Sequence, residues 1–82
     1  MPQSESIVAT LHNPAAVREA LQWGYRDALR EHGELLESLG VSLREAAYRG
    51  DDVTARAHVL QARLVVIDAV GVVKDLEKVN AE

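Results

Sequence analysis

Apolar or small residues recur through the first half of the chain at positions 17, 21, 25, 28, 32, 35, 39, 43 and 46, with His32 the one polar member. The steps alternate between three and four, which returns each residue to the same side of an α-helix and predicts one amphipathic arm. The charged residues of this half, among them Arg18, Glu19, Arg26, Asp27, Arg30 and Glu31, fall largely off that stripe, as a helix with one face in a core requires. The arm has a chemical start. Asn13 can accept hydrogen bonds from the free amides of a first turn, and Pro14 suits the first helical position because the N–H it lacks would have gone unpaired there.

The stretch "LESLGVSLREAAYRGDD" at 36–52 holds two breaks of different kinds. In "RGDD", Gly50 can take the left-handed conformation that closes a helix, Arg49 complements the carbonyl end of the helix dipole, and Asp51 or Asp52 can cap the next helix. In "LGVS", Gly40 can end a helix, and Ser42 with Glu45 has the spacing of a capping box. The first arm is therefore expected to run to Arg49, bent or broken near residue 40. A second helix is expected from about Val53 to Val79, carrying Val59, Leu60, Leu64, Ile67, Val70, Val73 and Leu76.

Around residues 64–73, "LVVIDAVGVV", apolar residues lie on every side of that second helix. A helix that is apolar all round is buried all round, whereas one neighbouring helix covers only one side. The pattern predicts an all-α antiparallel helical hairpin of two long amphipathic helices, completed by dimerisation or by a partner. The β-branched residues of the run would also suit a strand, but no second strand candidate exists to pair with it. Residues 1–12 show no sustained period and read as a flexible lead, leaving 13–80 as a single helical-hairpin domain.

Composition sharpens this reading. Eighty-two residues make one domain at most, and a lone chain of this size buries only about 60 to 65% of its unfolded surface. Trp23, Tyr25 and Tyr48 are the only aromatics, and there is no Cys. Disulfides and thiolate metal sites are thereby excluded as staples. The formal net charge of -4 argues against a sequence-independent grip on phosphates, which calls for clustered cations. The N-terminus lacks the basic region and apolar run of a secretory signal. The run at 64–73 is about half the roughly 20 residues that span a bilayer. These features lead to an expectation of a cytoplasmic protein with no membrane contact.

No catalytic constellation is present. His12, His32 and His58 lack the converging ligands that a metal site needs, and His32 is expected on the seam. No Gly-rich phosphate loop follows a strand, so neither an enzyme nor a cofactor is expected. "LGVSLRE" is similar to a phrase in many bacterial helix-turn-helix domains. That resemblance implies a small DNA-binding regulator using residues 36–49, with Arg44 and Arg49 its only cations on the recognition segment. Asp68 must either meet a base from elsewhere or lie on an exposed helix edge. Trp23 and Tyr25 point to different sides of the first arm, one toward the seam and the other outward.

The hairpin also resembles the small cytosolic co-chaperones of type III secretion needle subunits. The shared features are "LHN" followed by Val17 and Arg18, the "RGDD" reversal, and "AVGVV" at 69–73. The first arm is longer than that family implies, and "LGVS" has no counterpart there. A further resemblance, to flagellar export chaperones, rests on the Arg-Gly-Asp-like turn. Both imply a helical chaperone or adaptor that pairs with a second chaperone or an exported subunit. The expected function is thus a non-enzymatic binding module contacting a protein partner, or itself as a homo-oligomer, through Trp23, Leu60, Leu64, Val66, Ile67, Val70 and Val73. A purely structural homodimer is the alternative within the same architecture.

Overall fold

The structure, a computed structural model, describes residues 13–81, so the expected flexible lead at 1–12 lies outside the described residues. Two helices, α1 (Pro14–Arg49) and α2 (Asp52–Ala81), pack against each other as a hairpin. α1 begins as the sequence predicts. The Asn13 side-chain oxygen accepts hydrogen bonds from the Ala15 and Ala16 amides at 3.1 and 3.3 Å, and Pro14 occupies the first turn. Replacing Asn13 by Ala is expected to cost about 1 kcal/mol, read as a lower urea midpoint with an unchanged slope.

The reversal is at "RGD". Gly50 sits at φ 69°, ψ 23°, its amide donates to the Ala47 carbonyl at 3.1 Å, and the Asp51 amide donates to the Ala46 carbonyl at 2.9 Å. This pair of bonds satisfies the last carbonyls of α1 and requires a left-handed residue between them. Gly50→Ala should therefore lower stability by about 1 kcal/mol. Asp51, rather than Asp52, caps α2. Its carboxylate accepts from the Thr54 amide at 3.1 Å, and its carbonyl accepts from the Ala55 amide at 3.0 Å.

Hydrogen bonds from Thr54, through its side chain and its amide, hold the Asp51 carboxyl below the usual carboxylate range. A group whose folded-state pKa is depressed contributes stability that is present above its unfolded value and is lost as pH falls through the folded one. Urea midpoints of the wild type are accordingly expected to fall below about pH 4 by more than those of Asp51→Asn. An identical acid response in the two proteins would remove this carboxylate from the account.

"LGVS" makes no turn. Gly40 and Ser42 lie within the uninterrupted α1, so the first arm is one helix, and residues 36–49 lack the break that a helix-turn-helix requires. A break there would leave about four amides and four carbonyls without partners and interrupt the seam at Leu39 and Leu43. A mid-helix glycine costs only about 1 kcal/mol.

The seam follows a seven-residue repeat on both helices. On α1 it runs through Gln22, Tyr25, Leu29, His32, Leu36, Leu39, Leu43 and Ala46; on α2 through Ala55, His58, Ala62, Val65, Ala69, Val72, Leu76 and Val79. Gln22 donates from its side-chain amide to the Asn80 side-chain oxygen at 2.7 Å, which fixes the antiparallel register at the open end. The α1 stripe matches the expectation at 25, 32, 39, 43 and 46, but Leu21, Ala28 and Leu35 lie one row off it, Leu21 and Leu35 being 45% and 54% exposed. The α2 expectation needs a larger correction. Of the aliphatics expected to line it only Leu76 lies on the seam; the others found there are Val65, Val72 and Val79, which share it with His58 and with Ala55, Ala62 and Ala69. Among the described residues only Ala46 and Val79 are buried. No helix among them is long and apolar enough to cross a membrane.

Candidate functional site

Ala55, Ala62 and Ala69 share the seam with Val65, Val72, Leu76 and Val79, and the remaining large aliphatics of α2 are turned away from α1. Leu60, Leu64, Val66, Ile67, Val70 and Val73 are all exposed, from 39% at Val73 to 63% at Leu64. They encircle most of α2. Thr54, Gln61, Asp68 and Asp75, spaced by seven, form a continuous polar row. Asp68 therefore lies on an exposed helix edge, and no ion pair forms there among the described residues.

The seam leaves the hairpin two broad faces. On the first, Leu36 of α1 with Val66, Ala69, Val70 and Val73 of α2 line an apolar groove, with Lys74 and Glu77 at its rim. On the second, Leu35, Ser38 and Leu39 of α1 line a shallower groove with Gln61, Leu64 and Val65 of α2. The residues expected at the binding site are thus distributed around α2. Val66, Val70 and Val73 belong to the first face and Leu64 to the second. Leu60 and Ile67 lie on the edge remote from α1. Trp23 stands apart on α1, near its start and 64% exposed. Tyr25, two residues on, is half-buried in the seam.

Leu36, Ala69, Lys74 and Glu77 are groove residues that the sequence reading did not single out. Their signal was available in the heptad pattern: once Ala62 and Ala69 are taken as seam positions, the residues four further on, Val66 and Val73, must flank the seam on a common side. Leu36 then follows from the matching repeat in α1.

The two histidines of the described chain are seam residues. His32 is half-buried, and its Nδ1 lies 2.6 Å from the Ala28 carbonyl oxygen, to which it donates. His58 is also half-buried, and its Nδ1 is enclosed without a hydrogen-bond partner among the described residues. His12 lies outside the described residues. No group of three or more His, Cys, Asp or Glu side chains among the described residues converges on a point where a metal ion would sit.

Charge is divided between the faces. Beside the first groove, the row flanking the seam on α1 holds Glu19 and Arg26, and the next row out holds Arg30, Glu37 and Arg44. On α2 the flanking row begins with Asp52, and the equivalent outer row holds Arg56, Arg63 and Glu77. Arg30 is already engaged, with Asp27 at 2.8 Å and Glu34 at 2.9 Å; the hydrogen bond to Asp27 is the first cause of its raised pKa. The second face carries Glu31, Glu45, Asp68 and Asp75 against Lys78.

No protein family, no curated protein and no solved structure matches the chain. The surface must therefore be read from its own chemistry. Its two grooves are lined mainly by aliphatic side chains, with Lys74 and Glu77 beside the first and Ser38 and Gln61 in the second.

Proposed function

We propose that the protein is a non-enzymatic helical binding module, a chaperone or adaptor of cytoplasmic type that holds a helical partner protein against the outward side of α2. One observation carries this reading. The hairpin buries only Ala46 and Val79 among its described residues while the larger aliphatics of its second helix stand about half exposed. Fully burying such a side chain is worth roughly 1.5 to 3 kcal/mol, so covering what is already half covered still offers about 1 kcal/mol for each. Contiguous apolar surface of this extent on a small protein marks an interaction site. The resemblance to secretion co-chaperones supports the same class, since those proteins act by shielding a client that would otherwise assemble too early.

The reading is tested by intact-mass measurement of complexes captured on the tagged chain from its native cytosol, with sedimentation of the purified protein alongside. A stoichiometric protein partner is expected, or a defined oligomer. A chain that sediments as a monomer at high concentration and retains no stoichiometric partner would sink the proposal.

A further inference from the structure

Resting on the binding-module reading, we infer that the protein pairs with a second copy of itself, α2 against α2 and antiparallel, along the edge of the hairpin remote from α1. This contact leaves the first broad face open to a different partner.

Val53, Ala57, Leu60, Leu64, Ile67 and Gly71 follow one another along α2 in alternating steps of four and three, which keeps them on one line of the helix. That line lies opposite the seam with α1 and carries no charge over about five turns. Its four large members are exposed, from 47% at Leu60 to 83% at Val53. It is a second heptad stripe on a helix whose first already faces α1, as in a helix packed on two sides. Among the described residues only Ala46 and Val79 are buried, and the chain has no cysteine. Association is a usual supplement to a core this thin.

The occupant is identified by self-complementarity. In a two-fold contact residue i meets j while j meets i, so antiparallel pairing sets each row that flanks the stripe against its own reverse. Within α2 one flank reads Arg56, Arg63, Val70, Glu77 and the other Thr54, Gln61, Asp68, Asp75. With the two helices in full overlap, Arg56 meets Glu77 of the second copy, Arg63 meets Val70, Gln61 meets Asp68 and Thr54 meets Asp75, each twice. Two ion pairs form, every aspartate of these rows faces a hydrogen-bond donor, and no like charges are opposed. In the stripe itself Leu60 meets Gly71 and Leu64 meets Ile67. The stems of Lys74 and Lys78, which end the stripe, lie over Ala57 and Val53 with their ammonium groups in water. Other arrangements oppose like charges, which disfavours them. Sliding by one heptad sets Arg63 against Arg63 in one direction and Asp68 against Asp68 in the other, and parallel pairing stacks Lys74 on Lys74 and Lys78 on Lys78. Arg56 and Glu77 are exposed and have no ion pair among the described residues, so both are available to the second copy. Contact with a different protein would not require α2 to match its own reverse along both flanks.

The experiment is sedimentation equilibrium of the full chain, with circular dichroism to confirm folding. The wild type is expected to be a dimer, and Leu64→Asp, at an exposed position, a folded monomer. Arg56→Glu and Glu77→Arg are each expected to weaken the dimer roughly tenfold, because symmetry turns two ion pairs into two like-charge contacts at once. The double exchange Arg56→Glu with Glu77→Arg should recover most of that loss. Residues 56 and 77 are about 31 Å apart on their own helix at 1.5 Å per residue, so the recovery can come only from the second copy. Val66→Asp with Val70→Asp should leave the dimer intact. A dimer split by that valine pair but not by Leu64→Asp would overturn the inference in favour of the first groove. A double exchange no better than the single ones would overturn the antiparallel register. A wild-type monomer that captures a partner through Leu64 would overturn the inference in favour of a foreign helix and leave the binding-module reading intact. A monomer that captures no partner would remove both readings together.

Discussion

Replacing Ala62 and Ala69 together by leucine is expected to disrupt the hairpin, although the change adds apolar surface and suits a helix. Both positions lie on the seam of α2, at the repeat shared with Ala55, where small side chains admit the larger Leu36, Leu39 and His32 of α1. Inserting methylenes into a fitted interior costs roughly 1 to 3 kcal/mol at each site. The sum, roughly 2 to 6 kcal/mol, compares with a total of roughly 4 to 12 kcal/mol expected for a chain of this length. With two buried residues among those described, this hairpin belongs at the low end of that range. The matched control is Leu60→Ala. That substitution removes a large aliphatic from α2, but from its outer edge, where the side chain is 47% exposed, and it should change stability by less than about 0.5 kcal/mol. Urea unfolding followed by circular dichroism on the isolated chain separates the two. If Leu60→Ala proved the more damaging, the large residues rather than the small ones would face α1.

That contrast identifies where the sequence was hard to read. The ends of the helices were legible because capping is local chemistry: Asn13 with Pro14, and Gly50 with Asp51, act on amides and carbonyls within a few residues, and no tertiary context is needed to see them. The same local logic failed at "LGVS". Gly40 and Ser42 have the right caps for a break, but the seam at Leu39 and Leu43 runs through them, and continuous packing outweighed a propensity penalty. On α1 the stripe drifted by one position at Leu21 and Leu35, because the true line passes through Gln22, a polar residue that a hydrophobicity pattern passes over. Gln22 is there to bond Asn80 across the open end.

On α2 the difficulty is more basic. Periodicity finds a face by contrast, and a helix apolar on most sides offers little. Size was the remaining cue, and it misleads when two helices pack closely, because small residues then share the inward face, as Ala55, Ala62 and Ala69 do with Val65, Val72 and Leu76. Ala55, Ala62 and Ala69 were the readable signal. The proposed second covering surface is drawn from Leu60, Leu64, Val66, Ile67, Val70 and Val73, the aliphatics of α2 that stand exposed. The division of charge between the two faces could not be read before the seam was known, because Arg56 and Arg63 share a row with Val70 only once the heptad is phased.

Substituting Val66 and Val70 together by aspartate is expected to abolish association with a partner while leaving the hairpin itself folded. Both side chains line the first groove and are 47% and 48% exposed, so two carboxylates can remain hydrated in the free chain, and its helicity and urea midpoint should stay close to those of the wild type. Covering the same face by a partner would strip those carboxylates of water. Two valine burials are lost, worth roughly 1.5 to 3 kcal/mol each when complete, and each unpaired charge carries a further desolvation cost of several kcal/mol. A total above about 4 kcal/mol corresponds to weakening by about a thousandfold or more, which removes a micromolar complex from view. The readouts are the mass of the captured complex and the sedimentation of the purified protein, taken beside circular dichroism. The pair of valines also separates the surfaces around α2. Loss of association with Val66→Asp and Val70→Asp, but not with Leu64→Asp on the second face, places the partner on the first face of the hairpin; the opposite order would move it to the second.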